Sequence, residues 1–245
     1  MAIFLVFLVN LLSIGKSGFG EWGDFFGGVL NPILTFLTFM GLLITIVIQQ
    51  KELRESRREL KRSADALLEQ VANSRQQNFE TTFFQMLATH NRIVDSIDLV
   101  SEDGKVTRGR DCFVVFYRRL RKSFNGRKDK QYVSNKEKMA LQFAYKEFWN
   151  DHQLELGHYF RFLYNVLRFI KESGFSDGPY IRLIRAQLSD QELLLIFYNC
   201  IVPGDGAKFK PLAEEFALLD NMPKIRVLSK DHLRMIGGAA FGGAA

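Results

Sequence analysis

The chain has 245 residues, of which 47% are apolar and 24% are charged, and its formal net charge is +6. This length allows one domain of ordinary size together with a membrane anchor, and the composition can form a sizeable core. The two cysteines, Cys112 and Cys200, have no CxxC or histidine-flanked spacing. This excludes a zinc site and a disulfide framework and predicts two free thiols.

Residues 1–15 form the first apolar segment, which covers only about 22 Å as a helix and is too short for a comfortable membrane span. Three interpretations fit: a signal peptide, a shortened first transmembrane helix, or the end of a helix whose start lies upstream. A signal peptide is the weaker choice because no basic residue precedes the apolar part. We expect a first transmembrane helix, and then a glycine-rich loop at residues 16–28 whose aromatic residues suit a membrane interface.

Residues 29–49 are 21 consecutive residues without a charge. As a helix they cover roughly 30 Å, the thickness of the hydrocarbon part of a bilayer. Pro32 falls in the predicted first turn, where a missing N–H costs nothing. We predict the main membrane span here, and residues 1–50 together as a membrane anchor. A fully buried core helix is the alternative.

The distribution of basic residues predicts the orientation of this anchor. The loop before the main span contains only Lys16, whereas six basic residues follow the span closely. The positive-inside rule therefore places everything after Gln50 in the cytoplasm. The six residues are Lys51, Arg54, Arg57, Arg58, Lys61 and Arg62.

Residues 51–78 are predicted to continue the helix as a charged stalk, because no helix breaker interrupts them. Leu53, Leu60 and Leu67 recur every seven residues, which is a partial heptad pattern. We expect a helical stalk that self-associates as a coiled coil. The alternative is a solvated helix that packs on its own domain.

Residues 79–236 are predicted to form an all-helical cytoplasmic domain, and residues 237–245 a disordered tail. His90 lies on or beside the broad apolar face of the first predicted helix. We expect it to be a core histidine with a hydrogen-bond partner. No strand run of useful length is present, and the predicted helices cover residues 79–100, 110–124, 134–151, 154–173, 180–187, 191–202, 211–219 and 224–236.

The fold class is therefore all-α: an N-terminal transmembrane helix or helical hairpin, a helical stalk and a helical cytoplasmic bundle. Most of the excess charge lies at residues 105–138, where 12 basic and three acidic residues give +9, which leaves −3 of the total of +6 elsewhere. Such a patch favours anionic lipid or nucleic acid. The candidate binding residues are Arg118, Arg119, Arg121, Lys122, Arg127 and Lys128.

A second candidate site is a polar stripe on the helix predicted at residues 154–173. His158, Arg161 and Asn165 share one helical face, and Arg168 lies three residues further on. This stripe suits an anion or a protein partner. A salt-bridged surface face is the alternative.

Catalytic signatures are absent from the sequence: there is no P-loop, no GxGxxG after a strand, no HExxH and no GxSxG. Arg226 and His232 have the spacing of the Arg–His pair in helical ribonucleases of the HEPN type. However, Val227 replaces the polar residue that normally follows the arginine. We therefore predict no catalytic residue, no metal and no cofactor, and we keep this pair only as a weak nuclease signal.

Four blocks of the sequence carry a family resemblance. They are GDFFGGVLNPILTFLTFMGLLITIVIQQKEL (23–53), QQNFETTFFQMLATHNRIV (76–94), GHYFRFLYNVLRFI (157–170) and YIRLIRAQLSDQELLLIFYNCI (180–201). In content and order they resemble the family of phage abortive infection proteins, which are membrane-anchored defence proteins of bacteria. The resemblance implies a role in antiviral defence and a location in the bacterial inner membrane, and it supplies no catalytic residues.

The leading hypothesis is a non-enzymatic defence protein whose cytoplasmic helical domain senses infection or triggers growth arrest or death. The membrane could itself be the target, since an oligomer of such subunits could open a leak. The alternative is a membrane-tethered nuclease or nucleic-acid-binding effector, and a third hypothesis is a scaffold that oligomerises through its stalk. The expected partners are the lipid bilayer, anionic lipid or nucleic acid, further copies of the chain and a phage-encoded trigger.

Overall fold

A computed structural model of the chain describes residues 19–101, 103–128 and 134–243, together with Leu5, Leu8, Val9 and Leu12. The first apolar segment, predicted to span the membrane, therefore lies mostly outside the described residues. The chain divides into two compact units, Met1–Ser74 and Arg75–Ala245. The fold is all-α, as the sequence predicts, since the described residues are mostly helical and contain two strands of three residues each.

Helix α1 runs from Phe19 to Asp95. The prediction of a glycine-rich loop at residues 16–28 is therefore wrong from Phe19 onward. Pro32 lies inside the helix and not in its first turn. A proline inside a helix loses one backbone hydrogen bond and crowds the carbonyl four residues earlier, which here belongs to Gly28. Glycine has no Cβ and lets the backbone adjust, so the helix continues through this position.

Residues 29–49 of α1 are exposed along their whole length. Their large apolar side chains are between 39% and 66% exposed, the extremes being Met40 and Val47. The helix contains a window apolar enough to cross a bilayer, and none of this window is buried. This exposure speaks against the alternative of a core helix and is consistent with a membrane segment.

Residues 51–78 continue α1 without a break, as the absence of helix breakers predicts. The heptad leucines Leu53, Leu60 and Leu67 are all more than half exposed. Exposed leucines at this spacing are free to contact another helix. Self-association through them stays a prediction.

A β-hairpin follows α1, where the sequence predicts a longer helix and then a loop. Strand β1, Asp98–Val100, pairs antiparallel with strand β2, Val106–Arg108. Gly104 takes a φ of +74° in the connecting turn, a conformation that favours glycine. Three-residue strands are too short to show an alternating pattern in the sequence, and this is why the hairpin was not predicted.

The other elements are mostly helices. They are α2 (Asp111–Lys128), α3 (Ser134–Ser173), α4 (Tyr180–Gln187), α5 (Asp190–Ile201), α6 (Lys210–Glu215) and the 3-10 turns Asp205–Phe209, Lys224–Arg226, Lys230–Met235 and Gly238–Phe241.

Several predicted helix ends differ from the observed ones. Helix α2 continues through Asn125 and Gly126, since the propensity cost of about 1 kcal/mol for a glycine is offset by packing, and Phe124 beside it is fully buried. Helix α3 joins the two helices predicted at residues 134–151 and 154–173. Conversely, the helix predicted at 211–219 ends at Glu215, and Ala217 shortly after it adopts a φ of +47°. The helix predicted at 224–236 is replaced by two 3-10 turns.

Helix α5 is buried on all sides, as its nearly continuous apolar sequence predicts. Residues Ser189 to Glu192 have the S-x-x-E sequence that predicts a capping box. The structure confirms it: the Glu192 N–H is 3.4 Å from Ser189 Oγ, and Ser189 N–H donates to Glu192 Oε2 at 2.8 Å. Together these features fix where α5 begins within the core.

The C-terminal tail is ordered from residue 237 to 243, so the prediction of disorder is wrong there. Ala240 is fully buried, and its carbonyl accepts a hydrogen bond from Leu219 N–H at 2.9 Å. Lys224 Nζ lies 4.7 Å from the centre of the Phe241 ring. Gly242 has a φ of +74°, and a Cβ there would lie 2.7 Å from Asp220 Oδ1. Small residues occur in the tail because it packs closely against residues 219–224. Residues 244–245 lie outside the described part of the chain.

Candidate anion-binding pocket

A pocket of about 340 Å³ opens between helix α3 and the segment that follows helix α5. We call it the α3 pocket. One wall is a single face of α3, because its residues recur every three or four positions; they are Gly157, Phe160, Arg161, Tyr164, Asn165 and Arg168, with Trp149 two turns earlier. The opposite wall consists of Asn199, Gly206, Lys208 and Phe209.

The α3 pocket carries positive charge and, among the described side chains, no carboxylate. Its cations are Arg161, Arg168 and Lys208, and none of its lining residues is Asp or Glu. Arg161 has no ion pair within the part of the chain that the structure describes. Arg168 uses its Nε to contact Glu172 Oε1 at 2.6 Å, outside the pocket wall. The pocket therefore attracts anions.

Aromatic rings form much of the remaining wall. The ring centres of Trp149 and Phe160 are 5.9 Å apart, and those of Tyr164 and Phe209 are 6.0 Å apart. Lys208 Nζ lies 5.5 Å from the centre of the Tyr164 ring, within the range of a cation–π contact. Cationic side chains and flat aromatic rings therefore line the same pocket.

The shape of the α3 pocket depends on two glycines. A Cβ at position 206 would overlap the carbonyl and side-chain oxygens of Asn199, so only glycine allows the 3-10 turn to approach α5 this closely. Asn199 is itself held by Tyr145, whose hydroxyl donates to Oδ1 at 2.9 Å. At Gly157 a Cβ would lie 3.4 Å from Arg161 Nη1, so the guanidinium rests close to the α3 backbone.

We expect Gly206→Val to lower the free energy of unfolding by about 1–3 kcal/mol and to widen the α3 pocket, because the added atoms force the turn away from Asn199. Thermal unfolding of the full chain in detergent, followed by circular dichroism, measures this effect. Gly126→Ala is the matched control, since a Cβ there meets nothing within 4 Å and alanine favours the helix. Equal stability of Gly206→Val and the original chain would contradict the proposed close contact.

A second cavity, of about 550 Å³, adjoins the α3 pocket. The two cavities share Trp149, Asn199 and Gly206, and the second adds Lys146 as a further cation. It also has no Asp or Glu in its lining. Positive potential therefore extends beyond the α3 pocket along the same side of α3.

The structure brings together most of the predicted polar stripe. Arg161, Asn165 and Arg168 all line the α3 pocket, whereas His158 is exposed on α3 outside it. Lys208, on the opposite wall, was not predicted, because it lies about forty residues later in the chain and has no motif around it. Anion binding by this stripe stays a prediction.

The predicted basic patch is not one site. Arg118 and Arg119 border a separate cavity of about 420 Å³ beside the β-hairpin, and Arg119 Nη1 is 3.4 Å from His152 Nε2. Arg121 donates to the carbonyl of Arg226 at 3.3 Å, and Lys122 is exposed. The side chains of Arg127 and Lys128 lie outside the described part of the structure. The basic residues that the structure describes therefore point to different surroundings.

The Arg226–His232 pair does not form an open site. Arg226 Nη1 contacts Asp190 Oδ2 at 3.2 Å on the surface. His232 is only 2% exposed, and its Nδ1 lies 3.3 Å from the Tyr198 hydroxyl. The two side chains have separate partners, and the buried imidazole cannot reach a large substrate without rearrangement.

His90 is buried against aromatic rings, but the predicted hydrogen-bond partner is absent. Neither of its ring nitrogens has a partner among the described residues. Its ring centre lies 5.1 Å from that of Tyr159 and 6.4 Å from that of Phe162. Burial, together with the positive charge of Arg110, lowers the pKa of His90 to about 4. The imidazole is therefore neutral at physiological pH.

A buried polar network beside His90 was not predicted. The Glu192 side chain is fully buried, its Oε1 accepts from the Tyr159 hydroxyl at 3.2 Å, and its Oε2 lies 3.3 Å from Arg110 Nε. Burial and the negative charge of Glu192 raise the pKa of Tyr159. The only sequence signal for this network is the capping box, which explains the Glu192–Ser189 contacts and not the other two.

Other functional chemistry is sparse in the described residues. No group of three or more His, Cys, Asp or Glu side chains there is arranged to bind a metal ion. Cys112 and Cys200 are both buried free thiols, as their spacing predicts. Burial raises the pKa of both thiols, so neither is a nucleophile at neutral pH.

These features belong to an all-α protein with a long apolar N-terminal helix that is long enough to cross a membrane. Residues 151–227 match a family described as "Putative phage abortive infection protein". The match confirms the resemblance, and it covers the last two of the four sequence blocks. It supports a role in defence against phage. No curated protein and no solved structure matches the chain.

The matched segment contains most of the α3 pocket. Every residue that lines the pocket lies within 151–227 except Trp149, two residues before it. The polar network around Glu192 is also partly inside the segment, through Tyr159 and Glu192 itself. The part of the chain that matches the family is therefore the part that forms most of the candidate site.

Proposed function

We propose that this chain is a membrane-anchored antiphage defence protein whose helical domain triggers growth arrest or death of the infected cell. The observation that carries the proposal is the family match at residues 151–227. The exposed apolar part of α1 supports the anchor. In this proposal the protein acts in the bacterial inner membrane, and the six basic residues at 51–62 keep the domain after Gln50 in the cytoplasm.

The membrane is the proposed target. A span with no buried surface in the single chain can pack against copies of itself, and several copies could open a leak when infection is sensed. The exposed heptad leucines at 53, 60 and 67 support association next to the span. Depolarisation of the membrane stops growth without any catalytic step.

The test follows membrane potential with a voltage-sensitive dye during phage infection. We expect depolarisation before lysis in cells that carry the chain, and we expect Phe39→Arg to abolish it. An arginine at the centre of a span raises the free energy of membrane insertion by about 3 kcal/mol. Phe39→Leu is the matched control and should behave like the original chain. Membrane fractionation must show that Phe39→Arg is expressed and inserted.

A steady membrane potential in infected cells that nevertheless arrest would contradict the proposed target. The anchor would then be a tether, and the alternative of a nucleic-acid-binding effector would gain support from the exposed arginines of α2. The nuclease form of this alternative has lost its candidate residues, since Arg226 is paired with Asp190 and His232 is buried.

A further inference from the structure

We propose that the α3 pocket binds a nucleotide, with its phosphates on Arg161, Arg168 and Lys208 and its base against the aromatic wall. This inference goes beyond the proposed defence function and does not depend on it, because it rests only on the lining of the pocket.

The cations of the pocket fit phosphate groups. A guanidinium presents several N–H donors in a fork that matches phosphate oxygens, and a lysine adds a mobile point charge. Arg161 has no carboxylate partner among the described residues, so its donors are available to a ligand. Arg168 pairs with Glu172 through its Nε, which orients the side chain and leaves its two terminal amino groups available to a ligand. Among the side chains that the structure describes, no carboxylate lines the pocket to repel the phosphates.

The aromatic wall distinguishes a nucleotide from a bare anion. The Tyr164 ring contacts both Lys208 and Phe209, so an aromatic face lies beside the cations. Trp149 is also part of the wall. A nucleobase is flat and stacks on such rings, whereas inorganic phosphate would leave them without a contact. The side-chain amide of Asn165 can both donate to and accept from a base edge.

The size of the pocket favours a small ligand over a nucleic-acid strand. Its volume of about 340 Å³ is within the range of pockets for small molecules, roughly 300–1,000 Å³. The adjoining cavity lets a ligand extend past Trp149 toward Lys146. A strand is bound along an extended basic groove, and the basic residues of α2 line a different cavity.

The test is isothermal titration of the purified full chain in detergent with ATP and, separately, GTP. Tripolyphosphate, which lacks a base, and adenosine, which lacks phosphates, are the comparison ligands. We expect at least one nucleotide to bind about tenfold or more tightly than either comparison ligand, because each of these makes only half of the contacts. No binding of either nucleotide at millimolar concentration would overturn the proposal.

Two variants locate the site. Arg161→Gln and Lys208→Gln should each weaken nucleotide binding by about tenfold, since each removes one charge-assisted phosphate contact. Arg182→Gln, on the exposed side of α4 and outside the pocket, is the matched control and should bind like the original chain. Because Arg161 has no hydrogen-bond or ion-pair partner among the described residues, its variant is expected to fold normally, and circular dichroism checks this.

Two further outcomes would also contradict the proposal. Tripolyphosphate that binds as tightly as ATP would make the pocket a simple anion site. Nucleotide binding that is unchanged in both Arg161→Gln and Lys208→Gln would place the ligand elsewhere. Since all measurements use the purified chain, either failure leaves the defence function untouched, and a failure of the infection experiment leaves this inference untouched.

Discussion

Glu192→Leu is expected to lower the free energy of unfolding by about 3–5 kcal/mol, the cost of removing one partner from a buried charged network. Glu192 is 0% exposed and accepts from Tyr159, from Arg110 and from both the backbone and hydroxyl of Ser189. Leucine has a similar size but accepts nothing. The substitution leaves the buried Tyr159 hydroxyl without its partner and also removes the capping box of α5.

The effect of Glu192→Leu can be measured by urea unfolding of the full chain in mild detergent, followed by circular dichroism. Glu215→Leu is the matched control, because Glu215 also pairs with a cation, Lys171, at 2.5 Å, but both side chains are more than a third exposed. Exposed pairs contribute only about 0–1 kcal/mol. If the two variants lost similar stability, burial of Glu192 would not determine its contribution.

Tyr159→Phe separates the parts of this network. It removes only the hydroxyl that donates to Glu192 Oε1 and keeps the ring that packs against His90 and Phe113. Glu192 retains Arg110 and Ser189 as partners. The loss of stability should therefore be smaller than in Glu192→Leu. The difference between the two losses reports what the Glu192 carboxylate contributes through its contacts with Arg110 and Ser189.

Most of the fold can be read from the sequence where one physical signal dominates locally. The helix over the uncharged run at 29–49, the burial of α5 and the capping box at Ser189 are all predicted correctly. The errors occur where distant packing overrides a local preference. Asn125 and Gly126 remain helical because Phe124 is held in the core, and the small residues of the tail are ordered because they pack on Asp220.

Only one wall of the α3 pocket could be predicted from the sequence, for a similar reason. Arg161, Asn165 and Arg168 share one face of a single helix, so their spacing in the sequence predicts that they lie close together in the fold. Lys208 and Phe209 reach the same pocket only because Gly206 allows the turn after α5 to approach Asn199. No periodicity connects the two walls. Likewise, the burial of Glu192 depends on Arg110 and Tyr159, which come from other elements.

The acid sensitivity of the helical domain provides the second large effect. His90 has an ordinary pKa of 6.5 when exposed and a pKa of about 4 when folded, because burial and the charge of Arg110 disfavour its protonated form. Between these values the unfolded chain binds a proton that the folded chain does not. Stability that is present above pH 6.5 is therefore lost as the pH falls, by about 3 kcal/mol when the pH has passed through 4.

His90→Phe should remove most of this loss, because phenylalanine keeps the contact with Tyr159 and has no proton to bind. The measurement compares urea unfolding of the two chains at pH 7 and pH 4, and the variant should lose about 3 kcal/mol less between them. His158→Phe, which removes an exposed imidazole from α3, should retain the loss seen in the original chain. His152 adds to the loss in both chains, since burial lowers its pKa as well. If His90→Phe and the original chain lost equal stability between pH 7 and pH 4, the pKa of His90 would not be lowered by folding. Burial of its imidazole would then not be the cause of the acid sensitivity.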